Sequence, residues 1–231
     1  MGFYAGRLIL VGLTLLIFFG LAERVLDRMH LTDKQAIIIV IAIFIGSFFN
    51  VNLYQSSELT IRLNLGGALL PLALALYVWL QAGTMKEKMR SLCGAVLTAA
   101  LIIGIGWFFR NDEYALPIDM LYLYPIIAGL IGYLFGRSRK GAFVAAVLGV
   151  LFTDIAHGIY LIWTNTPGLV HFGGGGIFDS IVLAGVLAVC LAEFIGESRE
   201  RIQGGPSSKN RDASVLKNLQ AAGAKGDKKH G

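Results

Sequence analysis

The chain has 231 residues, of which 55% are hydrophobic and only 15% are charged, and its mean hydropathy is +0.67. A soluble domain carries about a quarter of charged residues, so the composition argues against a soluble protein and favours an integral membrane protein. The formal net charge of +5 requires no nucleic-acid partner, because most of the cations lie between or after apolar stretches, where membrane orientation alone accounts for them.

Seven apolar stretches are long enough to cross a bilayer as helices, which takes about twenty residues each. They are residues 3–22, 36–53, 65–82, 92–109, 116–135, 142–163 and 177–195. The first is more typical of a retained helix than of a cleaved signal peptide, because Glu23 and Arg24 follow it where small residues would guide cleavage. We therefore predict an all-α, polytopic helical membrane protein with about seven transmembrane helices.

The Lys and Arg residues are distributed unevenly between the two sides of these stretches. Of the twenty, only Arg7, Arg62 and Arg110 fall on one side, which leaves seventeen on the other. The positive-inside rule then predicts an outside N-terminus and a cytoplasmic C-terminus, as an odd number of helices requires. Residues 1–196 are expected to form the membrane domain, and residues 197–231 a basic, disordered cytoplasmic tail.

Two aspartates interrupt the last two apolar stretches. Asp154 lies within AAVLGVLFTDIAHGIYLIW, and Asp179 follows four consecutive glycines in HFGGGGIFDSIVLAGVLAV. A charge inside hydrocarbon is costly, so both residues are candidates for function. Asp154 is expected about 20 Å along its helix, which places it in the outer half of a core about 30 Å thick. His157 follows one turn farther out.

Most other polar groups of the spans also lie near their predicted outer ends, which indicates an outward-facing polar cavity. The predicted binding residues are Asp154, Asp179, His157, Asn64, Gly66, Gly67, Asp119, Gly175 and Gly176. The Gly66–Gly67 pair and Pro71 favour a broken helix start, and the later glycine run favours a backbone that dips beside a helix N-terminus. An ordinary helix entrance, a flexible outer loop and an interfacial charge at Asp119 are the alternatives.

Small residues recur at four-residue spacing in the last two stretches. One ladder is Gly141, Ala145, Gly149, Thr153 and His157, and the other is Ser180, Ala184, Ala188 and Ala192. Small residues at this spacing allow membrane helices to approach closely. We therefore predict that the two ladders face each other and bring Asp154 and Asp179 to one seam.

The sequence resembles a family of bacterial and archaeal multi-pass membrane proteins known as domain of unknown function 1614. Three strings carry the resemblance: IRLNLGGALLPLALALY, LFTDIAHGIYLI and FGGGGIFDSIVLAGVLAVCLA. It implies that the motif positions here are Asn64, Gly66, Gly67, Pro71, Asp154, residues 173–176, Phe178 and Asp179. It also implies a prokaryotic plasma membrane location, but it implies no activity.

Three functions are compatible with these residues. The first, which we prefer, is binding or transport, with the carboxylates holding a cation, a proton or the basic group of a small solute. The second is an intramembrane aspartyl protease in which Asp154 and Asp179 share a proton and activate water. Here Gly-Ile-Phe-Asp stands where presenilin-type enzymes have Gly-x-Gly-Asp. The sequence leaves open whether any reaction is catalysed.

The third function is structural: a helix bundle in which Asp154 and His157 satisfy each other within one helix, while a partner protein supplies the activity. The expected partners are therefore the lipid bilayer and a bound cation, proton or small solute, with any protein partner unidentified. No Cys-x-x-Cys or His-x-x-x-His pattern occurs, so neither a metal nor another cofactor is predicted.

Overall fold

The computed structural model describes residues 20, 26, 31–109 and 120–202. Asp119, nearly all of the first predicted span and residues 203–231 lie outside them. The described elements are α1 (Asp33–Gly46), β1 (Asn50–Gln55), β2 (Leu59–Asn64), α2 (Leu70–Leu80), α3 (Met85–Phe108), α4 (Met120–Gly136), α5 (Arg139–Trp163), β3 (Gly168–Phe172) and α6 (Ser180–Ile202). A π-helical turn, Leu65–Leu69, precedes α2, and a 3-10 turn, Gly176–Phe178, precedes α6.

The chain divides into two compact units, residues 1–193 and 194–231. All packing described below belongs to the first unit. The described part of the second, residues 194–202, is helical. The expected division after residue 196 stays a prediction.

Helices α3 and α5 are long and apolar enough to cross a membrane, with 24 and 25 residues. Shorter apolar helices occupy the predicted second, third, fifth and seventh stretches. Both long helices begin at a side-chain cap: the Thr84 hydroxyl accepts the amide of Glu87, and the Ser138 hydroxyl accepts the amide of Gly141. The predominantly helical fold is confirmed, whereas seven spans and their orientation stay predictions.

The all-α prediction is wrong at one place, because the described residues include a three-stranded sheet of order β1-β2-β3. Strands β1 and β2 form an antiparallel hairpin, in which Asn50 pairs with Asn64, and β2 runs parallel to β3, where Arg62 pairs with His171. Residues 50–53 therefore belong to a strand instead of the second span. One face of the sheet packs on α5, where Val170 lies beside Gly158 and is only 2% exposed.

The small-residue ladder of α5 packs against α3, and not against α6 as predicted. A β-carbon on Gly149 would lie only 2.6 Å from the β-carbon of Thr98 in α3. Helix α6 meets α5 on a different row, since a β-carbon on Gly185 would lie 2.9 Å or less from side-chain atoms of Phe143 and Val147. Residues two apart on a helix point about 200° from each other, so α5 presents different rows to its two neighbours.

Candidate functional site

Asn64 is the most enclosed polar residue of the predicted site, with 1% of its surface exposed. Its side-chain nitrogen donates to the Ser47 carbonyl at 2.8 Å and to Asn50 Oδ1 at 2.9 Å. Its Oδ1 accepts the amide of Gly67 at 2.7 Å. Both side-chain donors are thus used within the protein, and Asn64 ties the end of α1 to the hairpin and to the π-helical turn.

The predicted glycines lie where two backbones touch. Gly66 packs against the Ile43 carbonyl and the Ser47 amide at the end of α1, and Gly67 packs against the Gly173 carbonyl. A β-carbon on Gly66 or Gly67 would overlap those backbone atoms. The early glycine pair and the late glycine run, far apart in sequence, therefore meet in space, and their first role is close packing.

Asp179 caps helix α6 and is 8% exposed. Its Oδ2 accepts the amide of Gly175 at 2.9 Å, and its Oδ1 accepts the amide of Ile181 at 2.9 Å. The second bond is the usual N-cap interaction with the N2 amide. The glycine run forms a turn with Gly173 at φ 69° and ends at Gly176, which has φ 60° and begins the 3-10 turn. Its depth in a membrane stays a prediction.

His171 is a site residue that sequence reasoning missed. Its Nε2 lies 2.9 Å from Asn50 Oδ1, the same oxygen that accepts from Asn64, and its ring lies within electrostatic range of Asp179. A continuous polar network therefore runs from Ser47 through Asn64 and Asn50 to His171. Only the parallel pairing of β2 with β3 places His171 here, and no local pattern signals that pairing.

Asp154 differs from the other predicted residues because no hydrogen bond to it is found among the described residues. It lies partly buried on α5, and the charge of Asp179 reaches it. The fold therefore brings the two aspartates within electrostatic range, although the ladders do not form the seam between them. The Asp154 charge also acts on the Tyr124 hydroxyl of α4.

His157, one turn beyond Asp154, is exposed. Within the described ranges it forms no ion pair with Asp154, so the intrahelical pair that the structural hypothesis required is not found. The same ranges contain no group of three or more His, Cys, Asp or Glu residues that could hold a metal ion.

The cap at Asp179 gives a test of its structural role. Asp179→Ala is expected to lower the free energy of unfolding by about 1–2 kcal/mol, because the Ile181 amide loses its acceptor. Asp179→Asn is expected to cost less than Asp179→Ala, because its single oxygen can still accept the Ile181 amide, but it loses the bond from Gly175, since its side-chain nitrogen cannot accept. Thermal unfolding of the detergent-purified protein measures both. An equal loss in the two variants would mean that the charge or the Gly175 bond, and not the cap on Ile181, provides the stabilisation.

Comparison with known proteins finds one protein family that matches the part of the chain containing this site. A family model described as "Protein of unknown function (DUF1614)" matches residues 20–191. Neither a curated protein nor a solved structure was found to match the chain. The matched range contains every predicted site residue from Asn64 to Asp179.

Proposed function

The chain belongs to the DUF1614 family, as its motifs predicted, and we propose that it is a multi-pass membrane protein that binds or transports a proton, a small cation or a basic solute at Asp154. One observation carries this proposal: Asp154 is a partly buried carboxylate to which no hydrogen bond is found among the described residues. A buried charge without a partner is costly, and a bound proton or cation would offset that cost.

The contrast with its neighbours supports the choice of Asp154. Both oxygens of Asp179 accept backbone amides, and both donors of Asn64 are used. These side chains hold the outer end of the bundle together. Asp154 retains its capacity to accept, so we assign the ligand to Asp154 and a supporting role to the polar network around Asn64.

The dimensions of the long helices support a membrane location. With 24 and 25 residues, α3 and α5 measure about 36–38 Å, enough to cross a core about 30 Å thick. Asp154 lies about 14 Å from the Trp163 end of α5, the end that leads into β3. The ligand site then lies beneath the sheet, in the half of the bilayer that the positive-inside rule places outside.

The surface of the first unit also supports a lipid environment. Large apolar side chains on α1 are exposed, namely Ile37, Ile38, Ile41 and Ile45. A contiguous apolar surface of this kind marks a membrane or protein interface. Helices α1 and α2 are too short to cross a bilayer by themselves, but each adjoins non-helical backbone that packs against protein. Non-helical backbone is tolerated at membrane depth only when protein covers it in this way.

The protease alternative is weakened by the bonds of Asp179. A catalytic pair of aspartates shares one proton between adjacent carboxyl groups, whereas each Asp179 oxygen already accepts a backbone amide. Releasing one oxygen for catalysis would uncap α6 or free the Gly175 amide. We therefore rank binding or transport above proteolysis.

The experiment compares ion flux through the wild-type protein with flux through the variant Asp154→Asn, an isosteric change that removes the charge. The full chain, reconstituted in liposomes, is assayed for proton flux with an enclosed pH dye and for uptake of Na⁺, K⁺, Mg²⁺ and Ca²⁺. We expect flux or binding to be about thirtyfold or more lower in Asp154→Asn than in the wild-type protein, a loss of the size seen when a buried charge loses its partner. The melting temperature is expected to hold, since no described hydrogen bond is removed.

The matched control is Glu58→Gln, which removes an exposed carboxylate in the hairpin turn at the same end of the bundle. It should leave flux unchanged. Wild-type flux that persists in Asp154→Asn would exclude Asp154 as the ligand, and an equal loss in both variants would point to general surface charge.

A further inference from the structure

A cavity of about 450 Å³ lies at the end of α5 that is remote from Asp154. It is bounded by the loop after α2, by Glu87 of α3 and by the turn between α4 and α5. Three of the four residues that form this turn and begin α5 are basic: Arg137, Arg139 and Lys140. By the positive-inside rule this end faces the cytoplasm.

The acids around the cavity are already engaged. Glu87 accepts the Ser138 hydroxyl, and Glu193 forms an ion pair with Arg139. These contacts tie the turn to α3 and α6. Within the described ranges, Arg137 and Lys140 form no ion pair. The side chains that line the cavity comprise three cations, Arg137, Arg139 and Lys140, and one carboxylate, Glu87, so the cavity carries an excess of positive charge.

The backbone at Arg137 adds an independent reason to look for a ligand. Arg137 follows the last residue of α4 with φ 55°, in the left-handed region that glycine or asparagine usually occupies at this position. A β-carbon carries a conformational cost there. Glycine would suit this backbone conformation better. The presence of an arginine here therefore indicates a role for its side chain.

We propose that this cavity binds the phosphate group of an anionic phospholipid such as phosphatidylglycerol, through Arg137 and Lys140. Guanidinium groups match phosphate oxygens in pairs, and lysine supplies a point charge. The volume lies within the range of small-molecule sites, so a phosphate with its glycerol ester fits. Basic pockets at the cytoplasmic ends of membrane helices suit anionic headgroups, and a free phosphate ester shares the same chemistry.

The test is calorimetric titration of the full chain in neutral detergent with short-chain phosphatidylglycerol, short-chain phosphatidylcholine and inorganic phosphate. Phosphatidylglycerol is expected to bind, and Arg137→Gln/Lys140→Gln to weaken it about tenfold or more. The control, Lys34→Gln/Lys86→Gln, removes two exposed cations on the same predicted side that do not line the cavity, and should change affinity by less than about twofold.

A second variant separates binding from folding. Arg137→Gly removes the strained β-carbon, so it should hold or raise the melting temperature while it weakens phosphatidylglycerol binding. Arg137→Lys keeps the charge but not the paired guanidinium donors, so it should retain only part of the affinity. Equal losses in the cavity and control pairs, or no binding of phosphatidylglycerol and phosphate, would overturn the site. Inorganic phosphate that binds as tightly as the lipid would keep the phosphate site and overturn the lipid as its source.

Discussion

Gly67→Ala is expected to destabilise the protein by about 3 kcal/mol or more, or to prevent folding. The added methyl group would overlap the Gly173 carbonyl, a backbone atom that side-chain rotation cannot move away. Gly173→Ala should be at least as severe. Its methyl group would overlap the Ala68 amide, and its φ of 69° lies where residues with a β-carbon are strained.

The matched control is Gly104→Ala, because no other side chain or distant backbone lies within 4 Å of the new methyl group. In the interior of α3 it should stabilise by about 0.5–1 kcal/mol. Thermal unfolding and size-exclusion profiles in detergent compare the three variants. Comparable stability of Gly67→Ala and Gly104→Ala would contradict the contact between the two glycine segments. The double variant Gly67→Ala/Gly173→Ala should lose less than the sum, because both changes break one contact.

The sequence predicted the long helices well and the hairpin poorly, for a physical reason. Hydropathy over about twenty residues registers α3 and α5, because burial in lipid or protein demands a uniformly apolar segment. The same averaging hides a strand. Residues 59–64 alternate apolar with polar, the period of a half-buried strand.

No local sequence pattern could predict the parallel pairing of β2 with β3. GLVHF is a short apolar segment in a loop, and it becomes a strand only because β2 offers it an edge. The prediction that the two small-residue ladders face each other is wrong for a similar reason. Residues 141–151 of α5 are all buried, so every face of that half is covered, and a row of small residues cannot by itself specify which neighbour it meets.

Two of the predicted site residues, Asn64 and Asp179, form hydrogen bonds within the chain, whereas their role in binding stays a prediction. A polar residue in an apolar stretch must be satisfied, and sequence alone cannot distinguish a ligand from a backbone amide as the partner. For Asn64 and Asp179 the partners are backbone groups and another side chain of this chain. For Asp154 no hydrogen-bond partner is found among the described residues, so the interpretation of Asp154 as a ligand-binding residue still stands as a prediction.

Asn64→Asp is expected to cost about 3–5 kcal/mol, because it places an unpaired charge in a buried site. The change keeps the size of the side chain and replaces its nitrogen by an oxygen. That oxygen would face the Ser47 carbonyl and Asn50 Oδ1, which accept from Asn64 in the native protein at 2.8 and 2.9 Å. Two attractive contacts become repulsive, while the acceptor for Gly67 is retained.

Asn52→Asp is the matched control, because Asn52 lies on the same hairpin but is exposed, and it should change stability by less than about 0.5 kcal/mol. Thermal unfolding from pH 8 to pH 4 adds a second criterion. Acid protonates the carboxyl introduced by Asn64→Asp and restores one donor, so this variant should regain stability relative to the native protein as pH falls. A constant difference across that range, or equal losses at both positions, would mean that the donors of Asn64 do not hold the hairpin to α1.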